Sequence, residues 1–180
     1  MYADILILSA LLKRPMHGYE IKKEYDDLLA GLVTLHHNQL YPALRRFEEM
    51  GAVRRDVVEQ QGKPDRLIYQ LTEDGFQLLR EMLREFPLSI ALNDMEFMVR
   101  FALFGFLEPD DRLTILKTRR KALTMRYEKG ARVTQTLDIP VREKVQPYVD
   151  QLRELNTKKM SDELGWLEAM IEREQNASSL

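Results

Sequence analysis

Hydrophobic positions along the chain change their period several times, and each change predicts an element. From Tyr2 to Lys13 the sequence is almost continuously apolar, with Ile5, Leu6, Leu8, Leu11 and Leu12 at helical spacing, until Arg14-Pro15 stops it. A buried helix is expected there, with a strand as the lesser option. Ile21, Tyr25 and Leu28 then form the stripe of a second helix beginning near Tyr19 and stopped by Gly31. After a connector at 30–35, Leu40, Leu44 and Phe47 recur at spacings of four and three, so a third helix starts between His36 and Asn38. Pro42 falls near its first turn, where a missing N–H costs less than in mid-helix. Gly51 follows as the residue best able to end a helix in the left-handed conformation.

Beyond Gly51 the period falls to two. Val53, Val57 and Val58 sit among charged residues, and Leu67, Tyr69 and Leu71 alternate with Arg66, Ile68 and Gln70. Two strands are predicted, joined by a turn at Gln60-Gln61-Gly62-Lys63-Pro64-Asp65. Thr72 is placed to cap a fourth helix from Glu73 to about Glu85, whose early acids suit the helix dipole, and Phe86-Pro87 closes it.

The second half reads as helical throughout. Asn93-Asp94 precede an apolar helix from Met95 to about Leu107, and Glu108-Pro109-Asp110-Asp111 breaks it and opens another at roughly 110–136. Pro140 and Pro147 mark a further break, after which a last helix runs from about Tyr148 to Gln175. In it Met160, Leu164, Leu167 and Ile171 keep the four-three-four spacing of a helix pair, whereas Val149, Leu152 and Leu155 leave that register. The chain is therefore expected to be mainly α with a small β-hairpin: a winged helix-turn-helix at 1–86 and an all-helical domain at 87–180.

Composition narrows the class. With 44% apolar and 31% charged residues the chain belongs among soluble folded proteins, and no run of 18 apolar residues is present to span a bilayer. The absence of cysteine removes disulfide frameworks and thiolate metal sites, and Met1-Tyr2-Ala3-Asp4 lacks a secretory pattern, so the cytoplasm is the expected compartment. A formal net charge of −2 argues against a nonspecific nucleic-acid binder. Any DNA contact must rest on where the cations lie.

Three helices followed by a hairpin is the order of a winged helix-turn-helix, whose third helix enters the major groove while the wing meets the backbone. The cations stand where that order needs them: Arg45 and Arg46 on the third helix, Arg54 and Arg55 on the first strand, Lys63 at the turn and Arg66 after it. The DNA-binding set is then Tyr19, Lys22, His36, His37, Asn38, Gln39, Tyr41, Arg45, Arg46, Lys63 and Arg66. Arg can pair with guanine, Asn and Gln with adenine, and Tyr19 and Lys22 can reach phosphates. The bland reading of these side chains is a solvated helix face. No metal site follows from His36-His37, because adjacent helical residues diverge and no third ligand is near. Nor is His17 part of a catalytic set: with no nucleophile at motif spacing its role is capping or packing. No cofactor and no enzyme activity are called for.

These residues also carry a resemblance. His17-Gly18-Tyr19-Glu20-Ile21, Leu40-Tyr41-Pro42-Ala43-Leu44 with Arg45-Arg46, Glu48-Glu49-Met50-Gly51 and Tyr69-Gln70-Leu71-Thr72-Glu73-Asp74-Gly75 resemble the PadR family of bacterial transcriptional regulators over residues 3 to 85. Members commonly carry small residues where this chain has His36-His37-Asn38, which points to an operator of its own. Phe104-Gly105-Phe106-Leu107-Glu108-Pro109 and Trp166 are similar to the longer type in that family. That resemblance implies an all-helical dimerisation domain.

The implied molecule is a homodimeric, sequence-specific repressor on a palindromic double-stranded operator. Its dimer interface is assigned to Met160, Leu164, Trp166, Leu167 and Ile171, because the C-terminal helices have little else to cover them. Met95, Met98 and Phe101 form the candidate seat for a small apolar or aromatic effector, against the blander reading that this cluster is core. The competing function is a winged-helix adaptor that recruits a protein without specific DNA binding.

Overall fold

The computed structural model describes residues 2–28, 37–58, 66–132 and 142–177. The chain divides into two compact units, Met1–Glu85 with Asp94–Leu107, and Phe86–Asn93 with Glu108–Leu180. Helix α5 (Asp94–Ala102), which the sequence reading grouped with the C-terminal half, thus packs in the first unit. The hydrogen bonds give the reason: Arg100 donates to the Met82 and Glu85 carbonyls and Glu96 accepts from the Tyr2 N–H, all in the first unit.

In the first unit α1 (Tyr2–Ala10) is buried from Ile5 through Ala10, with Leu11 buried beyond it. A helix apolar on all sides must be central, and α1 packs on α2 (Gly18–Leu28), α3 (His37–Glu49), α4 (Glu73–Arg84) and α5. The helix ends three residues earlier than its apolar run, in a turn where the Leu12 N–H donates to the Ser9 carbonyl at 3.2 Å. Strands β2 (Val53–Val58) and β3 (Arg66–Leu71) pair antiparallel from Val53–Leu71 to Val58–Arg66. The turn joining them, Gly62 and Pro64 included, lies outside the described residues. So do the Gly31 and Pro140 boundaries.

A two-residue strand β1 (Met16–His17) adds to the far edge of β3, giving the order β1-β3-β2. Local patterning did not predict it.

The ends of α3 and α4 form as their residues dictate. Gly51 has φ 73°, its N–H donates to Glu48 O at 3.0 Å, and the Ala52 N–H donates to Phe47 O at 2.9 Å. This is a Schellman motif, which turns the chain sharply from α3 into β2. Thr72 caps α4 by accepting from the Gly75 N–H at 3.0 Å.

A buried ion pair closes the unit around α5. The Arg100 guanidinium donates to Glu96 Oε2 at 2.6 Å, and to the Met82 and Glu85 carbonyls at 3.1 and 2.9 Å, where α4 ends. Glu96 Oε1 accepts from the Tyr2 backbone N–H at 2.9 Å. One carboxylate and one guanidinium therefore tie together the start of α1, the end of α4 and the body of α5. The single helix expected from Met95 to Leu107 is in fact α5 followed by a 3-10 turn at Phe104–Phe106.

The second unit pairs α6 (Pro109–Arg132) with α7 (Arg142–Ala177). Buried Arg119 donates to Ala91 O at 2.8 Å and to Glu163 Oε1 at 2.7 Å, tying segment 86–93 to both helices. Two expectations are corrected here. Pro147 does not break the last helix, which runs through it from Arg142: a proline this close to the start removes one hydrogen bond and leaves the rest of a 36-residue helix intact. Leu167 and Ile171 are buried inside the single chain, so they cannot serve as an interface with a second one. Their spacing did signal a helix pair, but α6 of the same chain is the mate. Among the described residues no helix is long and apolar enough to cross a membrane.

Candidate nucleic-acid interface

Helix α3 has two faces. Leu40, Ala43, Leu44 and Phe47 are buried against the unit, and Asn38, Tyr41, Pro42, Arg45 and Arg46 are exposed, with Gln39 half-buried between them. The four-three spacing of the apolar residues is what turns the polar set outward.

The start of α2 is built against this helix. A carbon added at Gly18 would lie 2.9 Å from Tyr41 Cε1, so the absence of a side chain is what lets the Tyr41 ring settle there. Glu20, in the first turn, accepts from the His17 backbone N–H at 2.9 Å, one half of a capping box. That bond is the main reason its carboxyl titrates below the ordinary value; slight burial opposes it, and the Arg14 guanidinium at 3.2 Å adds to it. His17 Nδ1 lies 3.0 Å from the Leu67 carbonyl, which locks β1 to β3. Its role is structural packing at the entrance to α2.

These elements enclose an open cleft of about 570 Å³ lined by His17, Gly18, Tyr19, Glu20, Tyr41, Arg66, Leu67 and Tyr69. Three of the sequence candidates, Tyr19, Tyr41 and Arg66, meet there. Tyr69 is the residue that sequence reasoning passed over: it was read only as a strand position, yet it is buried beneath this surface. Burial pushes its hydroxyl pKa up, partly offset by the Arg55 charge and reinforced by Glu48.

The cations divide by their partners. Arg46 pairs with Asp4 of α1 and stands 5.1 Å from the centre of the Phe47 ring. Arg55 pairs with Glu48 at 3.0 Å, joining β2 to α3. Arg54 contacts Gln70 at 2.8 Å and Asp56 at 3.3 Å. Arg45 and Arg66 are exposed and make no ion pair among the described residues. Lys22 is half-buried on α2. His36 and Lys63 lie outside the described residues, and His37 is described only as the first residue of α3. Among the described residues no group of three acid or histidine side chains could hold a metal ion.

The remaining candidates lie on α5 and α7. Phe101 is half-buried, with ring centres 6.0 Å from Phe97 and 4.9 Å from Phe104, and Met95 and Met98 are half-buried on the same helix. On α7, Met160 and Leu164 are half-buried and Trp166 is exposed.

Residues 7–81 match the model of the transcriptional regulator PadR-like family. Two curated proteins are similar to the chain. One is the "Probable transcriptional regulator Rv1176c" of Mycobacterium tuberculosis, 34% identical over 83 residues, which are 46% of this chain and 43% of that protein. The other is the negative transcriptional regulator PadR of Bacillus subtilis, 30% identical over 95 residues, 52% of each chain. The chain spans about half the length of these curated relatives. Among solved structures, that of Bacillus subtilis PadR in complex with operator DNA aligns with a TM-score of 0.44 and 20% identity, over 95% of this chain and 98% of that one.

Proposed function

We propose, from the match of residues 7–81 to the model of the transcriptional regulator PadR-like family, that the chain is a sequence-specific DNA-binding transcriptional regulator, working in the cytoplasm as a homodimeric repressor on a palindromic operator. The observation that carries the reading is the outward face of α3, with Asn38, Tyr41 and Arg45 exposed over a buried apolar face. A helix presented in this way fits the major groove, where Arg45 can donate two hydrogen bonds to guanine and Asn38 or Gln39 can pair with adenine. Tyr19 and Arg66 line the cleft shared with Tyr41, and Lys22 lies three residues along α2 from Tyr19; all three suit phosphate contacts, which set register without reading sequence. His36, His37 and Lys63 complete the proposed set. Steric fit and placement of cations support this in a chain whose net charge is slightly negative.

Selection of bound fragments from random duplex DNA tests it. One enriched palindrome is expected, bound with an affinity that falls steeply between about 50 and 200 mM salt as counterions are released. No enriched motif, or a flat salt dependence, removes the reading. Release of the operator by a small apolar or aromatic molecule seated at Met95, Met98 and Phe101 belongs to the same proposal. The half-buried state of all three supports it, and Phe101→Ala should abolish any shift in thermal midpoint that such a molecule produces.

A further inference from the structure

Around α2, α3 and β2, cations pair with acids. Lys13 pairs with Glu24, Arg14 with Glu20 at 3.2 Å, Arg55 with Glu48 at 3.0 Å, Arg54 with Asp56 at 3.3 Å, and Arg46 with Asp4. The first four pairs join near neighbours in the chain. Asp4 differs, because it stands in the first turn of α1, 42 residues before Arg46 in the last turn of α3. Arg46 lies between exposed Arg45 and buried Phe47, and its side chain is 52% exposed. A guanidinium so placed can reach the phosphates of a duplex lying along α3 unless another group holds it.

We propose that Asp4 is a specificity-determining residue of the DNA-binding unit, whose carboxylate withholds Arg46 from phosphate and so keeps the affinity for nonoperator duplex low. The proposal rests on the DNA-binding reading of the preceding subsection and adds to it a residue outside α2, α3 and the two long strands.

The one carboxylate acts on two kinds of binding in opposite senses. Nonspecific binding is a matter of charge: a cation that releases counterions from the duplex strengthens it, whatever the sequence. Arg46 neutralised by Asp4 releases none, and the carboxylate meets an approaching phosphate as a like charge. Base reading is a matter of geometry, since Arg45, Asn38 and Gln39 must arrive at base edges together. There the same pair helps, because it ties α3 to α1. Asp4 therefore raises the ratio of operator to nonspecific affinity, the quantity that decides occupancy among many competing sites. The slightly negative net charge of the chain is in keeping with a binder whose cations are held back in this way.

Asp4→Asn keeps the shape of the side chain and removes its charge. Affinities of the full chain for the selected operator fragment and for random-sequence duplex are measured by fluorescence anisotropy between about 50 and 200 mM salt. On random duplex the variant is expected to bind about fivefold more tightly than the wild type, the upper range for an exposed ion pair. Its slope of log affinity against log salt should be steeper by about 0.9, one further counterion. On the operator it should bind no more tightly than the wild type. Asp4→Asn/Arg46→Ala should restore the wild-type slope on random duplex, which identifies Arg46 as the cation released. Asp4→Ser is the second variant and should give the same change in slope, since the effect follows the lost charge and not the new amide. An unchanged slope on random duplex in both single variants, a steeper slope that survives removal of Arg46, or an equal gain on both DNAs overturns the proposal and leaves the DNA-binding reading standing. A wild type that does not prefer the operator to random duplex overturns both.

Discussion

Gly18 lies directly beneath the ring of Tyr41: a methyl group built on it would stand 2.9 Å from Cε1 and 3.1 Å from the hydroxyl oxygen. Those contacts are with the end of a side chain that can swing away, so Gly18→Ala should fold. At this helix start alanine even favours the helix by up to about 1 kcal/mol. The effect should fall on DNA binding, because Tyr41 would be displaced from the cleft shared with Tyr19 and Arg66. An operator affinity about tenfold weaker, roughly 1.4 kcal/mol, is expected in a fluorescence anisotropy titration, with the urea midpoint unchanged or raised. Unaltered affinity would show that the position of Tyr41 does not matter.

Gly75 presents the opposite case. A carbon there would stand 2.0 Å from the Ala52 carbonyl oxygen, which is backbone and cannot rotate away. The same oxygen accepts from the Thr72 N–H at 3.1 Å, so moving it loosens the junction of β2 and α4. Gly75→Ala should destabilise by about 3 kcal/mol or more, at the upper end of overpacking costs. Gly105→Ala, where nothing lies within 4 Å, serves as the control and should be near neutral in urea denaturation.

What the sequence displayed and what it concealed follow from range. The Gly51 stop, the Thr72 cap and the period-two strands each depend on residues a few positions apart, and these were legible. Strand β1 was not, since two residues can show no period and its partner Tyr69 is far along the chain. The Asp4–Arg46 pair joins residues whose separation no local pattern records. On α7 spacing alone does not say which apolar positions the chain covers itself. The face assigned to a partner therefore held Leu167 and Ile171, which α6 covers.

Arg45 and Arg46 are adjacent and identical in type, yet their surroundings separate them. Arg46 is held by Asp4 and lies against Phe47, whereas Arg45 is exposed with no ion pair among the described residues. If Arg45 neutralises a phosphate or reads a guanine, Arg45→Ala should reduce the slope of log affinity against log salt by about 0.9, one counterion on duplex DNA. Arg46→Ala should leave the slope unchanged and lower affinity through the position of α3. Equal slope changes in both variants would contradict the division.

The buried carboxylate of Glu96 makes stability depend on pH in a defined direction. Burial alone would raise its pKa, but hydrogen bonds from Arg100 and the Tyr2 N–H, together with the Arg100 charge, outweigh burial and bring it below the ordinary value of 4.5. The folded state thus binds this proton more weakly than the unfolded chain does. The stabilisation is complete above the unfolded-state pKa and is lost as pH falls through the lower, folded-state one. Glu20, lowered in the same sense, adds a smaller effect at the surface. Urea denaturation from pH 7 to 3 should show the wild type losing stability on the acid side of about pH 4.5. Glu96→Gln should be less stable at pH 7, because Arg100 keeps its buried charge without a counter-ion. Its acid-side curve should also be flatter, since the titrating group is gone. Parallel curves for the two proteins would show that another carboxylate is responsible.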